Sequence, residues 1–189
     1  MSRMEKERCK WVPKDDQLYI EYHDHEWGRP TYDDRELFEM LSLEGAQAGL
    51  SWITILRRRE NYRKAFANFE ADRLIHFDDE KITELMLDEG IIRNKLKIRS
   101  VIKNAKAFLR VQEEFGSFNQ YIWKFVGGEP INNHWKTHDE VPSSTKESEQ
   151  MSKDLKKRGF SFVGPTICYA FMQATGMVND HTQNCFLSE

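Results

Sequence analysis

Long apolar runs are missing. Nothing in the chain approaches the ~20 consecutive apolar residues that a membrane-spanning helix needs, and the charged start, Met1 to Arg8, has no apolar stretch that would read as a leader. The expectation is a protein inside the cell, without a membrane contact. Cysteine is scarce: Cys9, Cys168 and Cys185 are too few and too scattered for a secreted disulfide framework. An excess of one charge is also lacking. With 28 Lys and Arg against 31 Asp and Glu the net charge is −3, which argues mildly against indiscriminate binding to nucleic acid. Strand-like alternation, internal repeats and low-complexity tracts do not appear either. Hydrophobic residues at 39% and charged residues at 31% then place the chain among ordinary globular proteins, with enough length for a sizeable core.

What is present has the helical period. Asp33 with Glu36 reads as a capping box ahead of the apolar face Leu37, Met40, Leu41. Ser51 is placed to cap a second helix carrying Ile53, Leu56, Tyr62, Phe66 and Phe69. Ile82, Leu85 and Met86 mark a third, ending at Gly90. Leu96, Val101, Ile102, Ala105, Phe108 and Leu109 mark a fourth, and Phe118 to Phe125 a fifth. Ser144 with Glu147 reads as another capping box, on a helix that stops at Gly159. Pro165 suits the first turn of a last helix, Thr166 to Ala174, closed by Gly176. The segment Gly127 to Ser144 is the most loop-like but too short to divide the chain. The prediction is one all-α domain over 1–189.

Four constellations can carry chemistry. Charge is segregated around Gly90: the stretch Asp78 to Glu89 is strongly acidic, and Arg93 to Lys106 holds six basic residues and no acidic one. A helix, a glycine turn and a basic helix can offer backbone N–H groups and a helix N-terminus to a phosphate, with Lys95, Lys97 and Arg99 adding charge. A plain hairpin with a glycine C-cap and a solvated basic face reads the same pattern equally well. Glu44 is the second. It follows Leu37 by seven residues and Met40 by four, so it falls on the apolar face of its helix, where a carboxylate is expensive unless paired or facing a polar pocket. The run Gly45-Ala-Gln-Ala-Gly49-Leu-Ser-Trp52 then opens space beside it and closes on a large aromatic. A flat ligand stacked on Trp52 and hydrogen-bonded to Glu44 fits this, and so does a core Trp with a capping Glu. The third is the aromatic cluster Tyr19, Tyr22 and Trp27, whose spacing suits core as well as pocket. The fourth is metal ligation: His181 and Cys185 stand at i, i+4, on one face if that segment is helical, while Cys9 precedes His23 and His25. Two Cys and two His would fill a tetrahedral structural zinc shell, but the spacing is far from a zinc finger. Cys168 reads as core.

Several segments in order, Arg8-Cys-Lys-Trp11, Tyr22-His-Asp-His-Glu-Trp-Gly28, Leu37 through Trp52, Arg59-Glu-Asn-Tyr62, Gly90-Ile-Ile-Arg93, Lys156-Lys-Arg-Gly-Phe160, Phe162-Val-Gly164 and Val178-Asn-Asp-His181, resemble the 3-methyladenine DNA glycosylase I family, a zinc-containing branch of the helix-hairpin-helix glycosylases. The resemblance runs nearly end to end. It implies a helix-hairpin-helix element at about 81–106, with Gly90, Ile92, Arg93, Lys95 and Lys97 on the DNA backbone. It implies that Glu44 and Tyr22 hydrogen-bond a damaged base, that Trp52 stacks on it, and that Trp27 and Tyr19 line the pocket. It further implies one structural zinc ion on Cys9, His23, His181 and Cys185, His23 rather than His25 being the ligand, which joins the two termini. The implied partner is duplex DNA containing alkylated adenine, at the nucleoid when bound, with no obligate protein partner. The implied reaction is hydrolysis of the 3-methyladenine glycosidic bond with Glu44 central and without strand cleavage, since no lysine stands out as a Schiff-base nucleophile. A DNA-binding module without catalysis would explain the Gly90 region but leave Glu44 and Trp52 idle. A zinc hydrolase would need an open metal position that four protein ligands fill.

Overall fold

The structure, a computed structural model, describes residues 5–188. Its architecture is built around α2, Asp34–Gln47, which buries Leu37, Phe38, Leu41 and Leu43 almost completely. Each such side chain contributes about 1.5–3 kcal/mol relative to an exposed one, so this helix is the centre of the core. It begins with half of the expected capping box: the Asp33 carboxylate accepts from Glu36 N–H at 3.0 Å, without a return bond to the Glu36 side chain among the described residues. The Asp34 carboxylate, one residue on, accepts from Gln112 Nε2 at 2.8 Å and from the backbone N–H groups of Phe118 and Asn119 at 2.9 and 2.8 Å. The start of α2 thereby ties down the start of α8, Phe118–Trp123.

α1, Gln17–His25, precedes α2 and carries Tyr19 and Tyr22, with Trp27 two residues beyond its end. The expected helix from Ser51 to Phe69 is broken into α3, Trp52–Leu56, and α4, Arg59–Ala65. Ser51 does occupy the cap position, but its hydroxyl meets Thr54 Oγ1 at 2.7 Å instead of a backbone N–H. After α4 the chain passes through three left-handed residues, Ala67, Asn68 and Phe69, and Arg35 holds the turn by donating to Asn68 O at 3.0 Å. No glycine or proline announces either break. α5, Ala71–Leu74, follows, then α6, Asp79–Leu85, which stops short of the expected Gly90.

α7, Lys95–Phe115, is the longest helix and lies against α2, α5, α6 and α8. α9, Lys146–Lys157, carries its capping box one residue later than expected, on Thr145 and Ser148 rather than Ser144 and Glu147. α10, Pro165–Ala174, opens on Pro165 and packs on both α9 and α2. A two-residue parallel bridge joins β1, Ile131–Asn132, to β2, Val178–Asn179. Two residues are too few for alternation to show, which is why the sequence pattern carries no trace of it. The ends of the described chain meet: Phe186 N–H donates to Glu7 O at 2.8 Å. The protein is mostly helical, as an all-α reading requires.

Candidate active site

Glu44 lies in the last turns of α2, 3% exposed, and among the described residues it has no protein hydrogen-bond partner. Burial alone pushes its carboxyl up to about 8. It borders a cavity of about 170 Å³ whose walls include Trp11, Tyr22, Trp27 and Trp52. The volume is below that of a drug-sized pocket and suits a single heterocycle. Trp52, the first residue of α3, follows Glu44 through the turn 48–51, and its ring centroid stands 5.5 Å from that of Tyr22. Trp52 Nε1 is buried with no acceptor among the described residues. Trp11 packs edge-on to Trp27 at 5.0 Å.

Of the five residues singled out for this pocket, the structure brings Glu44, Tyr22, Trp27 and Trp52 to the cavity wall. Tyr19 is not among the lining residues; its ring is tilted against Trp11 at 5.2 Å, yet close enough for Glu44, after burial, to help raise its phenol. Trp11 and Asp180 also line the cavity and had no role assigned from sequence, although both lie in the quoted motifs. Asp180 is as buried as Glu44 but saturated. It accepts from Asn133 Nδ2 at 2.8 Å, Trp135 Nε1 at 2.9 Å and Gln173 Nε2 at 3.0 Å, and from the Tyr169 hydroxyl. Of the two carboxylates, Glu44 therefore keeps its acceptors for a ligand.

Beside the cavity, Cys9, His23, His181 and Cys185 are all buried, with ligand atoms within 4.8 Å of one another, close enough to hold a metal ion. Cys9 Sγ is 3.5 Å from His181 Nδ1, and Cys185 Sγ is 3.5 Å from His23 Nε2. The outward ring nitrogens are engaged: His23 Nδ1 with Asp24 Oδ1 at 2.8 Å, and His181 Nε2 with Trp27 O at 3.2 Å. Arg8 grips Asp24 through two bonds of 2.8 and 2.7 Å. Such partners would fix which nitrogen faces a bound metal. His25, by contrast, sits at the surface near Glu21.

Between α6 and α7 the chain turns through Gly90. The glycine is required by close approach: a Cβ there would lie 2.9 Å from Asn61 Cβ on α4. Gly90 N–H goes to Asp88 Oδ1 at 2.8 Å and Ile92 N–H to the Tyr62 hydroxyl at 3.2 Å. The N–H groups of Ile91, Arg93, Lys95 and Leu96 have no acceptor among the described residues, and the side chains of Arg93 and Lys95 are exposed. Lys97 is differently placed, with its ammonium on the carbonyls of Ala46 at 3.0 Å and Ala48 at 2.5 Å.

With this geometry in view, comparison with known proteins is direct. The family model described as methyladenine glycosylase matches residues 11–188. DNA-3-methyladenine glycosylase 1 of Escherichia coli (strain K12) is 50% identical over 179 residues, covering 95% of each chain. A crystal structure of 3-methyladenine DNA glycosylase I superposes with a TM-score of 0.95 at 50% identity, over 97% of this chain and 100% of the other. A Tyr-to-Phe variant of 3-methyladenine DNA glycosylase I, solved in complex with 3-methyladenine, gives 0.92 at 34% identity over 95% of this chain and 96% of its own. The chain belongs to the methyladenine glycosylase family.

Proposed function

We propose that this protein excises 3-methyladenine from alkylated duplex DNA by flipping the base into the aromatic cavity beside Glu44. The observation that carries the reading is a buried carboxylate with free acceptors among aromatic walls. Methylation of a ring nitrogen makes adenine cationic and weakens its glycosidic bond, so recognition and charge matching supply much of what the reaction needs. Trp52 and Tyr22 offer faces and edges to the ring, and Glu44 accepts from its amino group. Glu44 enters the encounter protonated up to about pH 8, and a cationic base seated against it favours release of that proton. No lysine is among the residues lining the cavity, which supports hydrolysis without strand cleavage.

The metal implied at the Cys2His2 cluster is zinc. In a tetrahedral shell with about 2.3 Å to sulfur and about 2.0–2.1 Å to nitrogen, neighbouring donors stand roughly 3.3–3.8 Å apart. Three of the four Cys–His separations, Cys9–His181, Cys185–His23 and Cys185–His181, are 3.5–3.6 Å and fit that shell. Four protein ligands leave no position for water, so the ion would tie the segment around Cys9 and α1 to the C-terminal segment. Metal analysis should find about one zinc per chain in protein purified without chelators, and Cys9→Ser should lose both the metal and stability.

DNA binding falls to the turn through Gly90, as a helix-hairpin-helix element would provide it. The free N–H groups of Ile91 and Arg93, the start of α7 and the Arg93 and Lys95 side chains suit one backbone phosphate. The test of the whole reading is incubation with methylated duplex DNA and identification of released bases by mass. Wild type should release 3-methyladenine and Glu44→Gln should not, while circular dichroism shows both folded. Equal excision and equal free-base affinity in the two proteins would remove Glu44 from the site.

A further inference from the structure

Lys97 belongs to the basic run that reads as a DNA-facing surface, yet its side chain is turned inward. α2 ends beside the cavity, and the last carbonyls of a helix lack partners within it. Here Gly45 O is met by Ala48 N–H at 3.3 Å and Gln47 O by Leu50 N–H at 2.7 Å. Ala46 O and Ala48 O are met by the Lys97 ammonium, from the first turn of α7. A cation at the negative end of a helix is favourable. The ammonium is partly desolvated there, and burial lowers its pKa.

α7 holds the same stretch of α2 a second way. The Asn104 amide bonds the Ser161 peptide in both directions, Nδ2 to Ser161 O at 3.0 Å and Oδ1 from Ser161 N–H at 2.8 Å. Phe162, next in sequence, is thereby carried in a left-handed conformation, φ +56°, against Gly45. The turn 48–51 connects Glu44 to Trp52, and Lys97 stands three residues beyond Asn94, the last residue of the Gly90 turn. The helix that starts at the turn read as DNA-facing is thus keyed to the backbone that runs from Glu44 to Trp52.

We propose that Lys97 is a positioning residue that latches the turn 48–51 to α7, so that seating of the flipped base is set by how the Gly90 turn docks on DNA. This rests on the glycosylase reading above. Lys97→Met keeps length and removes the donors. Single-turnover excision at saturating methylated duplex should fall by about 10-fold or more, as small misplacements of reacting groups do. Affinity for free 3-methyladenine and the salt dependence of DNA binding should stay as in wild type. Lys95→Met, as comparator, should shallow the salt dependence by up to ~0.9 log units for one phosphate contact. The proposal is overturned if Lys97→Met shallows the salt slope as Lys95→Met does, if it changes nothing, or if free-base affinity falls in step with the rate. Lysine acylation of the wild type decides the matter even where the variant fails to fold. A latched Lys97 resists the reagent in free protein while Lys95 reacts, and DNA then protects Lys95. Lys97 reacting as fast as Lys95 overturns the latch. Wild type that releases no base defeats the glycosylase reading, and the acylation pattern still tests the latch.

Discussion

Glu39 and Glu44 are on the same helix, 1% and 3% exposed, and their surroundings drive them in opposite directions. Around Glu39 burial is outweighed by hydrogen bonds from Arg63 and Arg59, and its carboxyl is taken down to about 2. Arg63 reaches it at 2.7 and 2.9 Å, Arg59 at 3.1 and 2.7 Å and Arg35 at 3.2 Å, so every lone pair is used. Around Glu44 nothing answers burial, and the carboxyl rises to about 8. A buried acid clamped by arginines is structure. A buried acid left unanswered is a disadvantage for the free protein, which a ligand that answered it would offset.

The largest expected effect follows from the unanswered acid. The unfolded Glu44 carboxyl releases its proton near 4.5, whereas the folded one holds it to about 8, so unfolding releases a proton across that window. Stability should therefore fall as pH rises from 4.5 to 8 and level off above, by about 4–5 kcal/mol from this residue. Glu44→Gln should lack that descent and be more stable than wild type at pH 8. Urea unfolding of the two proteins at steps of pH checks this, and parallel curves would mean that Glu44 is not held neutral.

Glu39 should give the mirror image. Its folded pKa of about 2 lies below the unfolded 4.5, so its contribution is complete above 4.5 and lost as pH falls toward 2. Glu39→Gln should lose about 3 kcal/mol at pH 7, the scale of breaking a buried ion pair, and should no longer show that acid loss. Below its melting temperature it should bind free 3-methyladenine as wild type does. A variant that keeps its stability at pH 7 would show that the arginines are equally content with solvent.

This contrast was only half legible in the sequence. Glu44 announced itself because one helical period places it with Leu37 and Met40, a local relation. Glu39 did not, because Arg59 and Arg63, which make four of its five bonds, come from another helix, and the local Arg35 four residues before it reads like any exposed i,i+4 pair. The same holds elsewhere. Asp33 is a local cap and was readable. Thr145 rather than Ser144 was not, since adjacent hydroxyls have the same chemistry. The residues alone suggested the two halves of the Cys9, His23, His181, Cys185 set, but joining them and choosing His23 over His25 came from the family resemblance, because the halves lie at opposite ends of the chain. Lys97 read as one more phosphate-facing charge of the basic run, and only the fold shows the carbonyls it meets.

A smaller effect sharpens the comparison within the pocket. Trp52 supplies a face rather than a charge, and stacking of this kind is worth roughly 1–3 kcal/mol per base. Trp52→Ala should weaken binding of every flat base by about that much with little change in preference, whereas Glu44→Gln should weaken 3-methyladenine most. Titration with free 3-methyladenine and with unmodified adenine separates them. A Trp52→Ala protein that discriminates less well than wild type would give the tryptophan a recognition role beyond stacking, consistent with its unpartnered Nε1.

The smallest effect concerns Gly45, between the unanswered acid and the C-terminus of α2. Its backbone is ordinary right-handed helix, where glycine is less favourable than alanine by roughly 0.8–1.0 kcal/mol. A Cβ at this position would meet Phe162 Cβ at 3.4 Å and Phe162 O at 3.5 Å, at the near edge of normal contact. Phe162 cannot retreat freely, since its φ of +56° is held through the Asn104 grip on Ser161. The gain in helix propensity and the crowding therefore oppose each other at similar size, and Gly45→Ala should change stability by less than about 1 kcal/mol. Gly176→Ala marks the other extreme, because a Cβ there would lie 2.3 Å from the Arg29 carbonyl carbon. Urea unfolding of both variants measures the difference. A loss of 2 kcal/mol or more in Gly45→Ala would mean that the 161–163 segment presses on α2 harder than these distances allow, and that the glycine beside Glu44 is kept for clearance.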